Sequence, residues 1–408
     1  MKEKDKNEEK TNFEIPQEAL KKIKSQAELD DFFHGLYKQA VEGMLKAEMD
    51  EHLGYQKHQS KDKTGDNSRN GFSNKVLKTN IGYIPLDVPR DRESSFDPVI
   101  VPKHQRMSAR IEQAIITLYS RGMSTRDIEA TVKDIYGVEL SEGTVSNITN
   151  TILENIKQWQ QRPLEGVYFV VWMDGIVIKV RNNGKVQGKT IYLIIGLKKD
   201  GLKEVLGMWI SETESASFWM NVLTDLKARG VEDILIACTD NLAGIRQAIN
   251  AVFPQTVTQL CVVHQIRNST KYVTWKERKQ FIADLRLVYG AINKVTASDA
   301  LDDFAAKWGS KYGYAIKSWK DNWEELTSYF EYPIEIRKII YTTNAIESLN
   351  SSIRKYTKTK TVFPDDQAAL KAVYLAIGNI QLKWTMTIRD WGMIVNQFII
   401  KFGDRCRI

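Results

Sequence analysis

Residues 167–180 read VYFVVWMDGIVIKV, and how Asp174-Gly175 is interpreted decides the architecture around it. The pair lies between two runs of apolar, β-branched and aromatic residues. Asp-Gly between such runs is a strong short hairpin signal, since both central residues of a type I′ turn need positive φ. On that reading Asp174 shapes a turn between strands VYFVVWM and IVIKVR. On the other, it is a metal-binding carboxylate on a stiff β scaffold.

The texture around this stretch is α/β. Downstream, KTIYLIIGLKKDG and KEVLGMWIS are expected strands, and SASFWMNVLTDLKARG is a helix with Phe218, Trp219, Val222, Leu223 and Leu226 on one face. DILIACTD is an uninterrupted apolar run, as in a strand buried on both faces. NLAGIRQAINAVF is expected to be a helix and VTQLCVVHQI a strand. Strands joined by short connections, then strand–helix–strand–helix, give a mixed sheet. Residues 275–340 are rich in Lys, Glu, Asp and Trp at helical spacing, and NAIESLNSSIRKY starts a helical C-terminal part.

Upstream, residues 1–25 read as a charged tail, and residues 27–53 as an amphipathic helix ending before Gly54, whose wide apolar stripe needs a partner. QKHQSKDKTGDNSRNGFSNK reads as a polar loop or arm; residues 56–78 hold 6 basic and 2 acidic side chains. Pro85 and Pro89 place the short strands that follow at an edge. Residues 108–160 read as three helices, the second with Ser124 as N-cap and the third capped by Ser141. A helix, a short Gly-containing turn and a helix opening on short polar side chains is a helix-turn-helix pattern. Thr144, Ser146 and Asn147 are its candidate base and phosphate contacts; a plain helical hairpin is the alternative, and Glu142 would repel phosphate.

The chain has 408 residues, 42% hydrophobic, with net charge +7 and pI about 9.0. Residues 1–55 hold 9 Lys/Arg against 13 Asp/Glu, leaving 49 against 38 elsewhere, a balance that favours a polyanionic partner. No apolar run reaches membrane-spanning length, the start carries no apolar signal region, and three cysteines make no disulfide framework. The expectation is a cytoplasmic protein without a membrane partner.

Three acids stand out. Asp240 closes ILIACTD, where ligands of open α/β sheets gather, although Asp-Asn there would also cap the next helix. Glu347 lies on the NAIESLNSSIRKY helix, for which Thr343 can be the cap, and Arg354 two turns on shares its face. Two Asp from strands and a Glu from a packed helix would suit two Mg²⁺ ions (or Mn²⁺), which demand carboxylate oxygens and can activate a nucleophile and neutralise a leaving oxygen. Cys261 and His264 are two ligands without a second pair, so they are not read as a zinc site. His264 is expected near the active site, and Arg267 in the same stretch is grouped with both as a DNA contact. Arg354, Lys355, Lys358 and Lys360 are expected to grip the DNA backbone beside Glu347. Trp308, Trp319 and Trp323 are either core or platforms for unpaired bases.

Taken together, VVWMDGIVIKV, GLKEVLGMWI, ESASFWMNVLTDLKARGVEDILIACTDNLAGIRQAI, LCVVHQIRN and YTTNAIESLNSSIRK resemble the Mutator-type transposases of bacterial insertion sequences, of the wider DDE class, over roughly residues 30–400. The resemblance implies an RNase H-like catalytic core with Asp174 on its first strand, Asp240 at the end of its fourth, and Glu347 completing the triad. It explains the 107 residues between Asp240 and Glu347 as an α-helical insertion. The expected segments are a tail to residue 25, an N-terminal region over 26–105, a helical DNA-binding region over 106–162, core over 163–270, insertion over 271–340 and core again over 341–408. It implies Mg²⁺-dependent cleavage of double-stranded DNA at terminal inverted repeats, then 3′-OH strand transfer into target DNA, in the bacterial cytoplasm at the nucleoid. Joining two ends needs two active sites, so a homodimer or larger assembly is expected, with helix 27–53 as a candidate interface. A nuclease without strand transfer and a DNA-binding regulator with an inactive core are the competing readings.

Overall fold

The computed structural model describes residues 15, 17–59, 65–241, 244–341, 343–358 and 360–406. They fall into two compact units, one formed by residues up to Thr117 with Thr125–Ser146, the other by Leu118–Ser124 and Asn147 onward.

In the first unit, a single turn α1 (Gln17–Leu20) precedes α2 (Gln26–Leu53), which Ser25 caps at its start and Gly54 closes in the left-handed region at φ 75°. The apolar stripe of α2 finds its partner inside this unit. Val41 and Leu45 pack with Leu77, Ile84, Leu86, Val88 and Val101 of an antiparallel hairpin, β1 (Arg69–Thr79) and β2 (Gly82–Asp91), and its downstream residues. The strand begins at Arg69, inside the segment read from sequence as a loop. Pro85 and Pro89 do not interrupt β2, because each strand of a two-stranded sheet has a free side where a missing N–H costs nothing. Helices α3 (Ala109–Ser120), α4 (Thr125–Tyr136) and α5 (Glu142–Gln161) follow, with Gly122 at φ 94° and Gly137 at φ 64° ending the first two. Ser141 Oγ accepts from the Thr144 amide at 3.1 Å, the cap expected there.

The second unit is built on a five-stranded mixed sheet, order β5-β4-β3-β6-β7. Its strands are β3 (Val167–Asn182), β4 (Lys185–Leu197), β5 (Lys203–Ser211), β6 (Asp233–Thr239) and β7 (Val257–Leu260). β3 is antiparallel to β4 and parallel to β6; β4–β5 is antiparallel and β6–β7 parallel. The opening stretch is one continuous strand, and no hairpin forms at Asp174-Gly175. Asp174 pairs with Leu193 and Gly175 with Tyr192 in the β3–β4 ladder. The turn comes nine residues later at Asn183-Gly184, with φ 48° and 77°, the two positive values a type I′ hairpin requires. Two turn-forming pairs competed for one hairpin, and ladder pairing on both sides of Asp174 decided it.

Helices α6 (Ala216–Ala228) and α7 (Ile245–Val252) cover one face of the sheet, where Trp219, Val222, Leu223 and Ile249 meet Tyr168, Val171, Ile194 and Ala237. On the other face Phe169 stacks against Trp391 and Phe398 of α15 (Trp391–Phe402). β6 is buried throughout after its first residue, as its unbroken apolar run implies. Between β7 and the C-terminal helices α13 (Asn344–Thr357) and α14 (Asp366–Gln381) the described chain is helical: α8 (Val262–Thr270), α9 (Trp275–Tyr289), α10 (Lys294–Asp321), α11 (Trp323–Thr327) and α12 (Ile334–Ile340). Among the described residues no helix is long and apolar enough to cross a membrane.

Candidate active site

The site lies at the carboxyl end of β6 and beside it at the middle of β3, where Met173 pairs with Thr239. Asp174, half-buried on β3, accepts from the Gly175 amide at 2.8 Å through Oδ1 and from the Asn350 side chain at 2.7 Å through Oδ2. The second bond pins α13 to the strand. Gly175 allows the close packing: a Cβ there would stand 2.5 Å from Thr190 Cγ2.

Asp240 follows the last residue of β6. It is not the cap of the next helix, which starts five residues on, behind Gly244 in the left-handed region at φ 79°. Its Oδ1 is buried and has no hydrogen-bond partner among the described residues. Burial pushes the Asp240 carboxyl up to about 7, and the Asp174 charge adds to the shift. Asp174 is raised mainly by burial, with Glu347 adding and His264 opposing. Two acids that each make the other harder to ionise form the electrostatic arrangement that a cation would relieve.

Glu347 sits one helical turn before Asn350 on α13. Its carboxylate is held by Arg267 Nη1 at 2.8 Å, and His264 Nε2 lies 3.5 Å away. The acid read from sequence as a metal ligand is thus engaged by the two basic side chains of α8. Among the described residues no three His, Cys, Asp or Glu side chains are gathered closely enough to hold an ion at once.

Cys261 and His264 are brought together because the strand stops. β7 ends at Leu260, and Cys261 is the N-cap of α8, its Sγ accepting from the His264 amide at 3.5 Å. A longer strand would have pointed the two side chains to opposite faces. Cys261 Sγ also lies 3.1 Å from Thr343 Oγ1. That contact occupies the hydroxyl expected to cap α13, and Thr343 makes no side-chain capping bond. The neighbouring Cys261 side chain is the main cause that raises His264 to about 9, with Asp240 and Asp174 contributing; His264 in turn lowers Cys261 against its burial.

Two participants have no counterpart in the sequence reading. Asn350 is one, three residues after Glu347. Glu214 is the other: it immediately precedes the Ser215 cap of α6, accepts from Trp219 Nε1 at 3.1 Å, and is raised by burial and by the Asp174 charge. A polar residue one turn from an acid is the signal for Asn350, and an acid beside a helix cap is that for Glu214; both are too common to single out.

The basic run after Glu347 divides. Arg354, Lys355 and Lys358 are exposed at the end of α13. Lys360 is not available as a grip: its ammonium lies 3.7 Å from the Tyr119 ring centroid, and burial pushes it down to about 8. Trp308 and Trp319 are core, donating to Asp284 and Ser269 at 2.9 Å each, which rules out base stacking; Trp323 is half-buried. On the first turns of α5, Asn147 is exposed and Thr144 and Ser146 are half-buried.

Comparison with known proteins agrees on one family. A family model described as "Transposase, Mutator family" matches residues 8–387. The chain is 41% identical over 377 residues to the "Probable transposase for insertion sequence element ISRM3-like" of Sinorhizobium fredii, covering 92% of this chain and 94% of that one. It is 40% identical, with the same coverage, to the "Transposase for insertion sequence element ISRM3" of Rhizobium meliloti. A more distant relative, 26% identical over 392 residues, is the "Transposase for insertion sequence element IS256 in transposon Tn4001" of Staphylococcus aureus, with 93% and 98% coverage.

Proposed function

The chain belongs to the Mutator family of transposases, and from that premise we propose that it cuts the ends of an insertion sequence and transfers the freed 3′-OH to a second DNA, using Asp174, Asp240 and Glu347. One observation carries the reading. The Asn350–Asp174 bond docks the Glu347 helix on the strand bearing Asp174, so that the charge of Glu347 acts on Asp174 and that of Asp174 acts on Asp240, although the three are far apart in sequence. The five-stranded mixed sheet, with Asp174 on its first strand and Asp240 just past its fourth, supports an RNase H-like core.

The donor set suits a hard divalent cation. It is all carboxylate at its centre, and one oxygen of Asp240 is buried without a partner. Asp174 and Asp240 would hold Mg²⁺, and Glu347 would join them on leaving Arg267. Mg²⁺ bound there would activate the attacking oxygen and neutralise the departing one. The chain's own residues supply the rest. Asn350 and the Gly175 amide fix the orientation of the Asp174 carboxylate, and Asp240 must lose its proton before it can act. Arg267, released from Glu347, and His264 are placed to meet the negative charge of a phosphodiester. Arg354, Lys355 and Lys358 would hold the strand beside the cut, and α4–α5 would read the element's end through Thr144, Ser146 and Asn147. Two such sites would act on paired ends, so the working species is at least a dimer, acting at the bacterial nucleoid.

The test uses the full-length protein, Mg²⁺ and a labelled duplex carrying one terminal inverted repeat. Nicking at the element boundary and joining of the 3′-OH to a second duplex are expected. Asp240→Asn should bind the duplex and cut nothing. Cutting without joining would leave a nuclease, and metal-independent cutting would overturn the triad.

A further inference from the structure

Beside the catalytic pocket lies a cavity with a different chemistry. It has a volume of about 520 Å³ and is lined by four lysines, Lys203, Lys338, Lys355 and Lys383, with no Asp or Glu among its lining residues. None of the four makes an ion pair among the described residues. Lys203 is half-buried, its ammonium 5.4 Å from the centroid of Trp384, and burial lowers its pKa. Four uncompensated ammonium groups around one cavity repel each other and favour an anion between them.

A second, independent feature points the same way. Trp172 lines the cavity from β3, is 1% exposed, and its indole N–H has no acceptor among the described residues. Leaving such a donor buried and unpaired carries the full desolvation penalty of the N–H, so native structures rarely keep one without a use. Ser348 and Ser352 add hydroxyls from α13. The lining is thus rich in donors and positive charge, which fits the tetrahedral, acceptor-only oxygens of a phosphoryl group. Ser348 follows Glu347 directly, about 100° round the helix, so one helix presents an acid to the catalytic pocket and hydroxyls to this cavity.

We propose that this cavity binds a phosphoryl anion, supplied by the backbone of a DNA segment that passes the Glu347 helix on the side adjacent to the catalytic pocket. Only the source of the phosphoryl group rests on the transposase reading; the anion chemistry does not.

The experiment uses the full chain in the Asp240→Asn background with EDTA, so that cleavage plays no part. Anisotropy of a labelled 20-bp duplex lacking element ends is followed against salt, with inorganic pyrophosphate alone as the second probe. Lys338 and Lys383 are exposed, so replacing both leaves the core untouched. The double variant Lys338→Gln/Lys383→Gln should weaken duplex binding at least tenfold at physiological salt and lower the log–log salt slope by about 2. Trp172→Phe, which keeps an aromatic side chain of smaller size and removes the donor, should weaken binding several-fold with the slope unchanged. Duplex binding that keeps its affinity and slope in the double variant overturns the proposal. Micromolar pyrophosphate binding that is lost in the double variant, with duplex binding unaffected, overturns DNA as the source. Absence of duplex binding by the parent protein at low salt would instead overturn the DNA-transposition reading itself.

Discussion

Asn350 donates its side-chain amide to Oδ2 of Asp174 at 2.7 Å, joining a helix and a strand 176 residues apart in sequence. Asn350 is 4% exposed, so the bond is made away from water and has no ready substitute. Asn350→Leu keeps the volume and removes the donor. The expected loss of stability is about 1–2 kcal/mol, measured by urea unfolding. Cleavage should fall at least tenfold while duplex binding holds, because Asp174 loses its fixed orientation. Full cleavage by a folded Asn350→Leu protein would show that the bond does not position the site.

The Asp240 carboxyl, raised to about 7, makes metal-free stability depend on pH. An unfolded Asp ionises near pH 3.9. Between about 4 and about 7 the folded chain therefore keeps a proton that the unfolded chain has lost. The associated stability is complete below about pH 4, declines as pH rises through that window, and changes no further above it. The decline should be on the order of 2–4 kcal/mol, and Mg²⁺ should recover it above pH 7. Thermal unfolding in EDTA from pH 4 to 8 reads this directly. Asp240→Asn should flatten the curve, and an equal slope in that variant would refute the assignment.

Arg267 occupies Glu347 at 2.8 Å, with its own side chain more than half exposed. An ion pair so open to water adds less than about 1 kcal/mol. Arg267→Ala should therefore leave the metal-free Tm nearly unchanged, while removing the group that competes with a cation for Glu347. The rise in Tm produced by Mg²⁺ without DNA should become larger in the variant. A smaller rise would mean that Arg267 supports the carboxylate rather than diverting it.

Gly175 faces Thr190 Cγ2 at 2.5 Å and the Tyr192 ring at 3.3 Å from where a Cβ would stand. Gly175→Ala should cost about 1–3 kcal/mol by overpacking, against the gain of about 0.4–1 kcal/mol expected at an extended glycine whose Cβ would meet open space. Chemical denaturation distinguishes the two by sign.

Cys261 is the leading cause of the raised His264 pKa, to about 9, and caps α8. In Cys261→Ala the imidazole should titrate closer to its ordinary value, as followed by its ring-proton shifts in NMR. An unchanged titration would assign the shift to Asp240 and Asp174 instead.

The periodicities were decisive where local pattern and burial agree. The amphipathic stripe of α2, the continuous apolar run of β6 and the polar, Trp-bearing helices after α8 each carry their conformation in spacing alone. Local signals failed where two of them competed. Asp174-Gly175 and Asn183-Gly184 are both turn-formers, and only ladder pairing across Leu193 and Tyr192 selects the second. The stretch VTQLCVVHQI is uniformly strand-like, yet the chain turns helical at Val262 once Cys261 can cap it.

By itself the sequence determined the α/β class, most of the helical segments, and the placement of Asp240 at the end of a strand and Glu347 on a helix, because these follow from residue spacing and side-chain type. Tertiary structure alone decided what each acid touches. Asn350 on Asp174, Arg267 on Glu347, the unpartnered oxygen of Asp240 and the approach of Glu214 are contacts between segments far apart in the chain. Spacing along a polypeptide fixes which face a side chain takes on its own element; only the packing of elements fixes what stands opposite that face.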